Sequence, residues 1–375
     1  MSVRVLDGVA PEWQKHVGDD VPVLASAPWI DATLERLTSR RLTLLATEDG
    51  QGGGLQATVV DSPAAGEMIS LYRMLLADPK VWKFPGASVA ARGDLRGRMP
   101  PAEDWLPHLA VLYPGFDSFV AASGGPAPAL GAVLVDAVLS WAAEHGMRVV
   151  SFPYVRSDTG LPELLAERGF LAIPLTYRSR LTLAEGAGFD DYLASLSKNG
   201  RSQVTKERQR LATAGISTVR CAVDDVWSDV LALRCDLVER YGQRADKDLE
   251  ASNLRALFSC FGTGGTRLYC SFLEGRVVGF SLYLVWRDTW YAGYTGTYLT
   301  PQTRSVYFDH LFYAPIADAI AEGTRVVDLG IGAWEGKRRR GCELTEVNLW
   351  VRAADPAIER AISLAAAPMR REVGW

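Results

Sequence analysis

No run of about 18 apolar residues occurs anywhere in the chain, and the opening MSVRVLDGVAPEWQ lacks the apolar centre of a signal peptide. Neither a membrane span nor a leader is expected, which suits a cytoplasmic protein. Cysteine is scarce: Cys221, Cys235, Cys260, Cys270 and Cys342 show no Cys-x-x-Cys spacing, so reduced thiols are expected, not a disulfide framework. The four histidines are scattered without HxxxH or HExxH, so no metal site is expected. GxxxxGK[ST], GxGxxG after a strand and GxSxG are all missing. P-loop phosphoryl transfer, hydride transfer and α/β-hydrolase chemistry lose support accordingly. Net positive charge is missing too: the formal value of −4 argues against a non-specific coat of nucleic acid, and DNA is not an expected partner.

What is present is ordinary globular composition, 48% hydrophobic and 22% charged over 375 residues, enough for two domains. Short apolar runs alternate with helical segments. Trp29 to Ser39 reads as a helix. Arg41 to Thr47 and Leu55 to Val60 form a hairpin across the Asp49-Gly50 turn. Ala129 to His145 is a helix closed by Gly146, followed by a strand over Met147 to Tyr154. Phe189 to Ala214 reads as one long basic helix. Arg267 to Leu273 and Val277 to Trp286 form a second hairpin, and Thr289 to Gly296 is a third strand. A helix over Val306 to Glu322 and a strand over Val326 to Gly330 follow.

The halves repeat. Ala132 to Tyr154 and Ala314 to Gly330 each read as an Ala-rich helix, a glycine, x-Arg-Val-Val and a strand, and each follows a hairpin with an acidic-Gly turn. The matched order points to a duplication, an α/β chain of mixed sheets divided into 1–170 and 171–375, the latter including the basic helix 189–214.

Residues 291 to 341 carry the densest polar chemistry. They form a strand–helix–strand unit, and ligands often bind beyond the C-terminal ends of such strands. Asp309 lies in the first helical turn, as a dipole-complementing residue or as a base. Glu335 to Gly341 joins a carboxylate, Lys337 and three arginines among glycines, either a solvated turn or a grip for phosphate or an oxyanion. Lys198, Arg201 and Arg208 share a basic face of the long helix, solvated or phosphate-binding.

The run Tyr192-Leu193-x-Ser195-Leu196-Ser197-Lys198-x-x-Arg201 with Glu207-Arg208, the run Tyr307-Phe308-x-x-x-Phe312-Tyr313-x-Pro315-Ile316, and Gly330-x-Gly332 with Lys337, Arg340 and Gly341 resemble the FemAB-like, tandem-GNAT group of acyltransferases. The resemblance is good over about 177–350 and architectural over 1–155. It implies two tandem GNAT-like domains facing a shared cleft, and transfer of an acyl group to an amine. Implied partners are a small-molecule amine acceptor and a donor that is either aminoacyl-tRNA, the favoured one, or acyl-CoA. No tightly bound cofactor, no membrane and a monomer or weak dimer are expected. Where GNAT enzymes carry glycines that grip pyrophosphate, this chain has Pro301-Gln302-Thr303-Arg304-Ser305-Val306-Tyr307, which weakens the acetyl-CoA reading. The implied roles are Asp309 and Lys337 in catalysis, Lys198, Arg201, Arg208, Arg304 and Arg340 on the donor, and Tyr294, Tyr307, Tyr313 and Glu335 on the acceptor. A non-catalytic binding module is the rival from another class.

Overall fold

Two tight turns set the pattern. Asp49 and Gly50 both take positive φ (49° and 81°), and so do Glu274 and Gly275 (50° and 76°). Two successive left-handed residues twist a two-residue turn in the same sense as its strands, and glycine takes that conformation without a Cβ clash. The computed structural model describes residues 2–33, 39–63, 69–76, 99–125, 127–242, 244–303 and 305–373. The expected helix from Trp29 to Ser39 is described as Ala27–Ala32; residues 34–38 of that reading lie outside the described residues.

The chain divides into two compact units, 1–177 with 345–375, and 178–344. The first unit thus takes in residues 345–375 from the far end of the chain.

In the first unit β1 (Ser2–Asp7), β2 (Arg41–Glu48), β3 (Gln51–Val60) and β4 (His108–Val111) pair antiparallel in that order, with the short β5 (Ala121–Ala122) on β3. The small helices α1 (Trp13–Val17), α2 (Ala27–Ala32) and α3 (Leu71–Leu76) lie between these strands in sequence, and α4 (Pro128–Glu144) crosses over so that β6 (Val149–Arg156) runs parallel to β4. The core gathers Leu44, Leu55, Leu134, Val138, Phe152 and Trp350. Helix α5 (Leu161–Glu167) leads into β7 (Leu171–Thr182), which leaves for the second unit.

The second unit repeats the plan. After α6 (Phe189–Ser195) and α7 (Lys198–Thr213) come β8 (Ser217–Cys221), α8 (Val223–Arg240) and α9 (Lys247–Gly265). Then β9 (Thr266–Leu273), β10 (Arg276–Trp286) and β11 (Thr289–Thr297) pair antiparallel, and β12 (Val326–Ile331) runs parallel to β11. The helical crossover between them holds α10 (Val306–Phe308), a π-helical turn (Asp309–Tyr313) and α11 (Ala314–Ala321). Its core gathers Tyr269, Tyr283, Trp290, Phe312, Ile316 and Val327.

Each repeat is completed by the other's last strand. The C-terminal part of β7, which follows β6 in sequence, pairs with β12; β13 (Glu343–Ala353), which follows β12 through α12 (Trp334–Arg338), pairs with β6. Helix α13 (Pro356–Val373) closes the chain. Among the described residues no helix is long and apolar enough to cross a membrane.

The expected single helix 189–214 is two. Ser197 caps the second, its Oγ accepting the N–H of Gly200 at 3.1 Å, and that cap needs the non-helical backbone that breaks the run. Gly200 is required by proximity: a Cβ there would stand 2.7 Å from the carbonyl oxygen of Arg339.

Candidate active site

The two parallel strands of the second unit part early. Their ladder runs only from Thr289–Val326 to Tyr291–Asp328. Beyond it β11 stays on β10 as far as Thr297, while β12 continues against β7 to Ile331. Two strands that diverge inside a sheet leave main-chain edges between which an extended ligand can lie.

The first unit has the same opening and fills it. The β4–β6 ladder ends at Ala110 and Ser151. The chain then folds back through a turn closed by Tyr113 and Asp117, and Ser118 pairs with Val155. The Ser118 hydroxyl bonds the carbonyl of Val111 at 2.8 Å and that of Pro153. Among the described residues no such segment bridges β11 and β12 beyond Tyr291.

The crossover helix is distorted where proline forces it. Pro315 has no N–H for the carbonyl of Leu311, and the Tyr283 hydroxyl donates to that carbonyl instead. The Ser281 hydroxyl serves the carbonyl of His310 in the same way. His310 is wholly buried, with Nε2 2.9 Å from Thr297 Oγ1, and burial drives its pKa down to about 3, so the ring is neutral. Asp309 beside it is half-buried. Its Oδ2 receives the Thr218 hydroxyl at 2.5 Å. Burial raises the Asp309 pKa, against smaller lowering effects of the Thr218 bond and the Arg208 charge.

Lys337 and Arg340, read from the sequence as part of a solvated turn or of an anion grip, are both buried. Lys337 is 2% exposed, and its Nζ donates to the carbonyls of Leu329 (2.5 Å) and Ile331 (3.1 Å), which fixes the parted end of β12. Burial brings its pKa down to about 8. Arg340 is 1% exposed and spends all three nitrogens inside the protein. Nε donates to Tyr313 Oη and Nη1 to the carbonyl of Gly336, both at 2.8 Å, and Nη2 to Glu207 Oε2 at 2.5 Å. Its guanidinium also lies 3.2 Å from the centre of the Phe308 ring. Tyr313 is buried with it, donating its hydroxyl to Glu207. Arg340, expected on the donor, and Tyr313, expected on the acceptor, are both internal braces that tie α7 and α12 to the crossover helix.

A second buried ionic group stands at the parting itself. Asp328 is 1% exposed and bonds Arg178 at 2.8 Å and Arg180 at 3.0 Å. Burial alone would raise its pKa, but the two guanidiniums outweigh burial and hold it at about 2. A depressed carboxylate stabilises the fold above its unfolded pKa of about 3.9, and the contribution is lost as pH falls toward 2. Wild type and Asp328→Asn are thus expected to differ most in melting temperature above about pH 5 and to converge toward pH 2. Melts across that range check the sign.

The other expected residues stay nearer the surface. Lys198, Arg201 and Arg208 are exposed on α7. Arg201 donates to the carbonyl of Ala194 at 2.9 Å, and Arg208 covers the Phe189 ring at 4.9 Å. Tyr294 lies on the parted length of β11 with Arg234 4.7 Å from its ring centre, and Arg234 is itself held by Glu250 at 2.8 Å. Tyr307 packs edge-on against Phe308, and burial raises its pKa. Glu335 is exposed in the first turn of α12, and Arg304 lies outside the described residues. The structure brings Asp309 to Arg208, and Lys337 to the end of β12. It does not join the two: the side-chain partner of Asp309 is on β8. Thr218, Ser271, Asp328 and Arg178 escaped the sequence reading, and only the position of Asp328, directly after the repeated Arg-Val-Val, carried a signal for any of them.

Comparison with known proteins fits this architecture. The solved structure of FemX superposes with a TM-score of 0.58 at 13% identity, covering 97% of this chain and 99% of that one. A tandem GNAT protein from the clavulanic acid biosynthesis pathway, solved without AcCoA, gives a TM-score of 0.50 at 13% identity, covering 95% and 99%. At such identities these matches show the fold, two GNAT-like domains in tandem. No protein of the curated set matches the sequence. The family model FemAB-like, described as peptidoglycan biosynthesis/recognition, matches residues 116–373. That stretch is well over half of the chain, which therefore belongs to the FemAB-like family.

Proposed function

We propose that the chain is an amide-forming acyltransferase whose activated donor lies in the β11–β12 opening of the second unit. The observation that carries this reading is the contrast between the repeats: the same parting of parallel strands is filled by Ser118 in one and crossed by no described segment in the other. In this reading an amine nitrogen forms the new C–N bond, and the donor's C–O or C–S bond breaks. The amine proton is assigned to Asp309, whose partner strand β8 is separated from β11 by β9 and β10, so a chain of waters carries it there and back to the leaving oxygen or sulfur. A half-buried carboxylate with a raised pKa suits that exchange, because it takes up and releases a proton closer to neutral pH. Lys337 keeps the edge of β12 in place and does not meet the substrate. Tyr294 and Tyr307 border the acceptor with Glu335, while Lys198, Arg201, Arg208 and Arg304 meet donor phosphates.

The favoured donor is aminoacyl-tRNA. The loop before the crossover helix lacks pyrophosphate-gripping glycines, and α7 offers an exposed arginine- and lysine-bearing face. Acyl-CoA is the second reading, favoured by the parted main-chain edges of β11 and β12, between which an extended arm can lie. The deciding experiment supplies charged tRNA or acyl-CoA with an amine acceptor drawn from cell-wall precursors. Transfer from charged tRNA that ribonuclease abolishes is expected; transfer from CoA thioesters alone reverses the order.

A further inference from the structure

Asp309 is one end of a hydroxyl chain. Thr218 Oγ1 on β8 lies 2.5 Å from Asp309 Oδ2 and 2.6 Å from Ser271 Oγ on β9. Thr218 and Ser271 are direct partners in the β8–β9 ladder, so both side chains leave the same face of the sheet at a spacing set by the backbone. Ser271 is wholly buried.

A hydroxyl has one proton to give and two lone pairs to receive. When Asp309 is ionised, Thr218 donates to it and Ser271 donates to Thr218. When Asp309 holds a proton, it donates to Thr218 and the chain reverses. The reversed chain leaves one buried hydroxyl proton without an acceptor among these three groups, so the ionised chain is the better satisfied of the two. Few other groups interfere. On β8, Arg220 is committed to Glu322; on β9, Tyr269 is committed to Asp318; on β10, Tyr283 bonds the carbonyl of Leu311. His310, next in sequence, is held by Thr297. From α7, Arg208 supplies the cationic field at Asp309.

We infer that Thr218, backed by Ser271, is the positioning residue for Asp309: the hydroxyl pair aims the carboxylate and favours its charged form. The inference rests on Asp309 being the proton acceptor.

Two measurements test it. The first needs no substrate: melting temperature is recorded against pH for wild type, Thr218→Val and Thr218→Ser, each beside its own Asp309→Asn partner. The pH at which each pair diverges reports ionisation of Asp309 in the folded state. Loss of a hydrogen bond to the charged form is expected to move that pH up by about one to two units in Thr218→Val, with Thr218→Ser returning near wild type. An unmoved divergence in Thr218→Val overturns the inference. The second measurement is steady-state kinetics. Thr218→Val is expected to lower kcat at least about tenfold with KM within about twofold. The acidic limb of kcat should rise in parallel, and Thr218→Ser should restore both. Wild-type kcat in Thr218→Val overturns the positioning role. Wild-type turnover in Asp309→Asn overturns the underlying reading of Asp309 instead, whichever way the stability titration falls.

Discussion

Replacing Arg340 with methionine is expected to destabilise the second unit by about 3–5 kcal/mol. The reason is what the arginine leaves behind. Glu207 is 8% exposed and faces Arg340 Nη2 at 2.5 Å. Without the guanidinium it keeps the Tyr313 hydroxyl and Gln203 Nε2, the latter at 3.0 Å, but no opposite charge. Burial then raises its pKa, and the fold either carries an unpaired carboxylate or takes up a proton. The carbonyl of Gly336 loses its donor as well. A buried ion pair is often no better than apolar residues of similar volume, so the double variant Arg340→Met with Glu207→Leu should recover a substantial part of the loss. Urea denaturation of the three proteins measures it. A cost below about 1 kcal/mol for the single variant would show that solvent reaches Glu207 and that the brace is a surface pair.

Asp309→Asn is expected to reduce turnover by about 10²–10³ without loss of stability at pH 8. The two halves of this expectation have one cause. Burial raises the Asp309 pKa, so the carboxyl contributes stability in its protonated form. That contribution is complete below the ordinary carboxylate value of about 3.9 and is lost as pH rises through the raised one. At pH 8 the wild type therefore bears the cost of a half-buried charge, which asparagine removes while still accepting the Thr218 hydroxyl. The variant should gain on the wild type in melting temperature as pH rises above about 4. A variant that falls further behind as pH rises would mean that Asp309 is stabilised by its charge, as an ordinary ion-paired carboxylate is.

The local rules were legible where the backbone obeys neighbours in sequence. Asp49-Gly50 and Glu274-Gly275 announced their hairpins, and the repeated x-Arg-Val-Val marked the crossover strands β6 and β12. The exchange of β7 and β13 was not legible, because the pairing of Thr182 with Val326 is decided by the assembled sheet and by no local preference. The Glu335–Gly341 turn shows the limit most clearly. Four cations in a row read as a solvated or substrate-facing cluster, and Arg338 and Arg339 are indeed exposed. Lys337 and Arg340 are three apart on a short helical turn, so they share its inner face. The glycines beside them gave the clue: a Cβ on Gly336 would stand 2.6 Å from the Phe308 ring, so this turn presses against the crossover helix. Asp309 was singled out by its place in the first helical turn, but the hydroxyl chain that reaches it comes from strands 91 and 38 residues upstream and left no pattern to read.

In the proposed arrangement one repeat holds the donor and the other cannot. Hydrogen–deuterium exchange of the whole chain, with and without a non-hydrolysable charged-tRNA analogue and with acyl-CoA in a parallel arm, tests it directly. Whichever donor binds is expected to slow exchange at residues 292–297 and 329–332, at one donor per chain, and to leave 110–118 and 151–156 unchanged. Protection of the first unit's stretches, or binding with no change at the ends of β11 and β12, would contradict it.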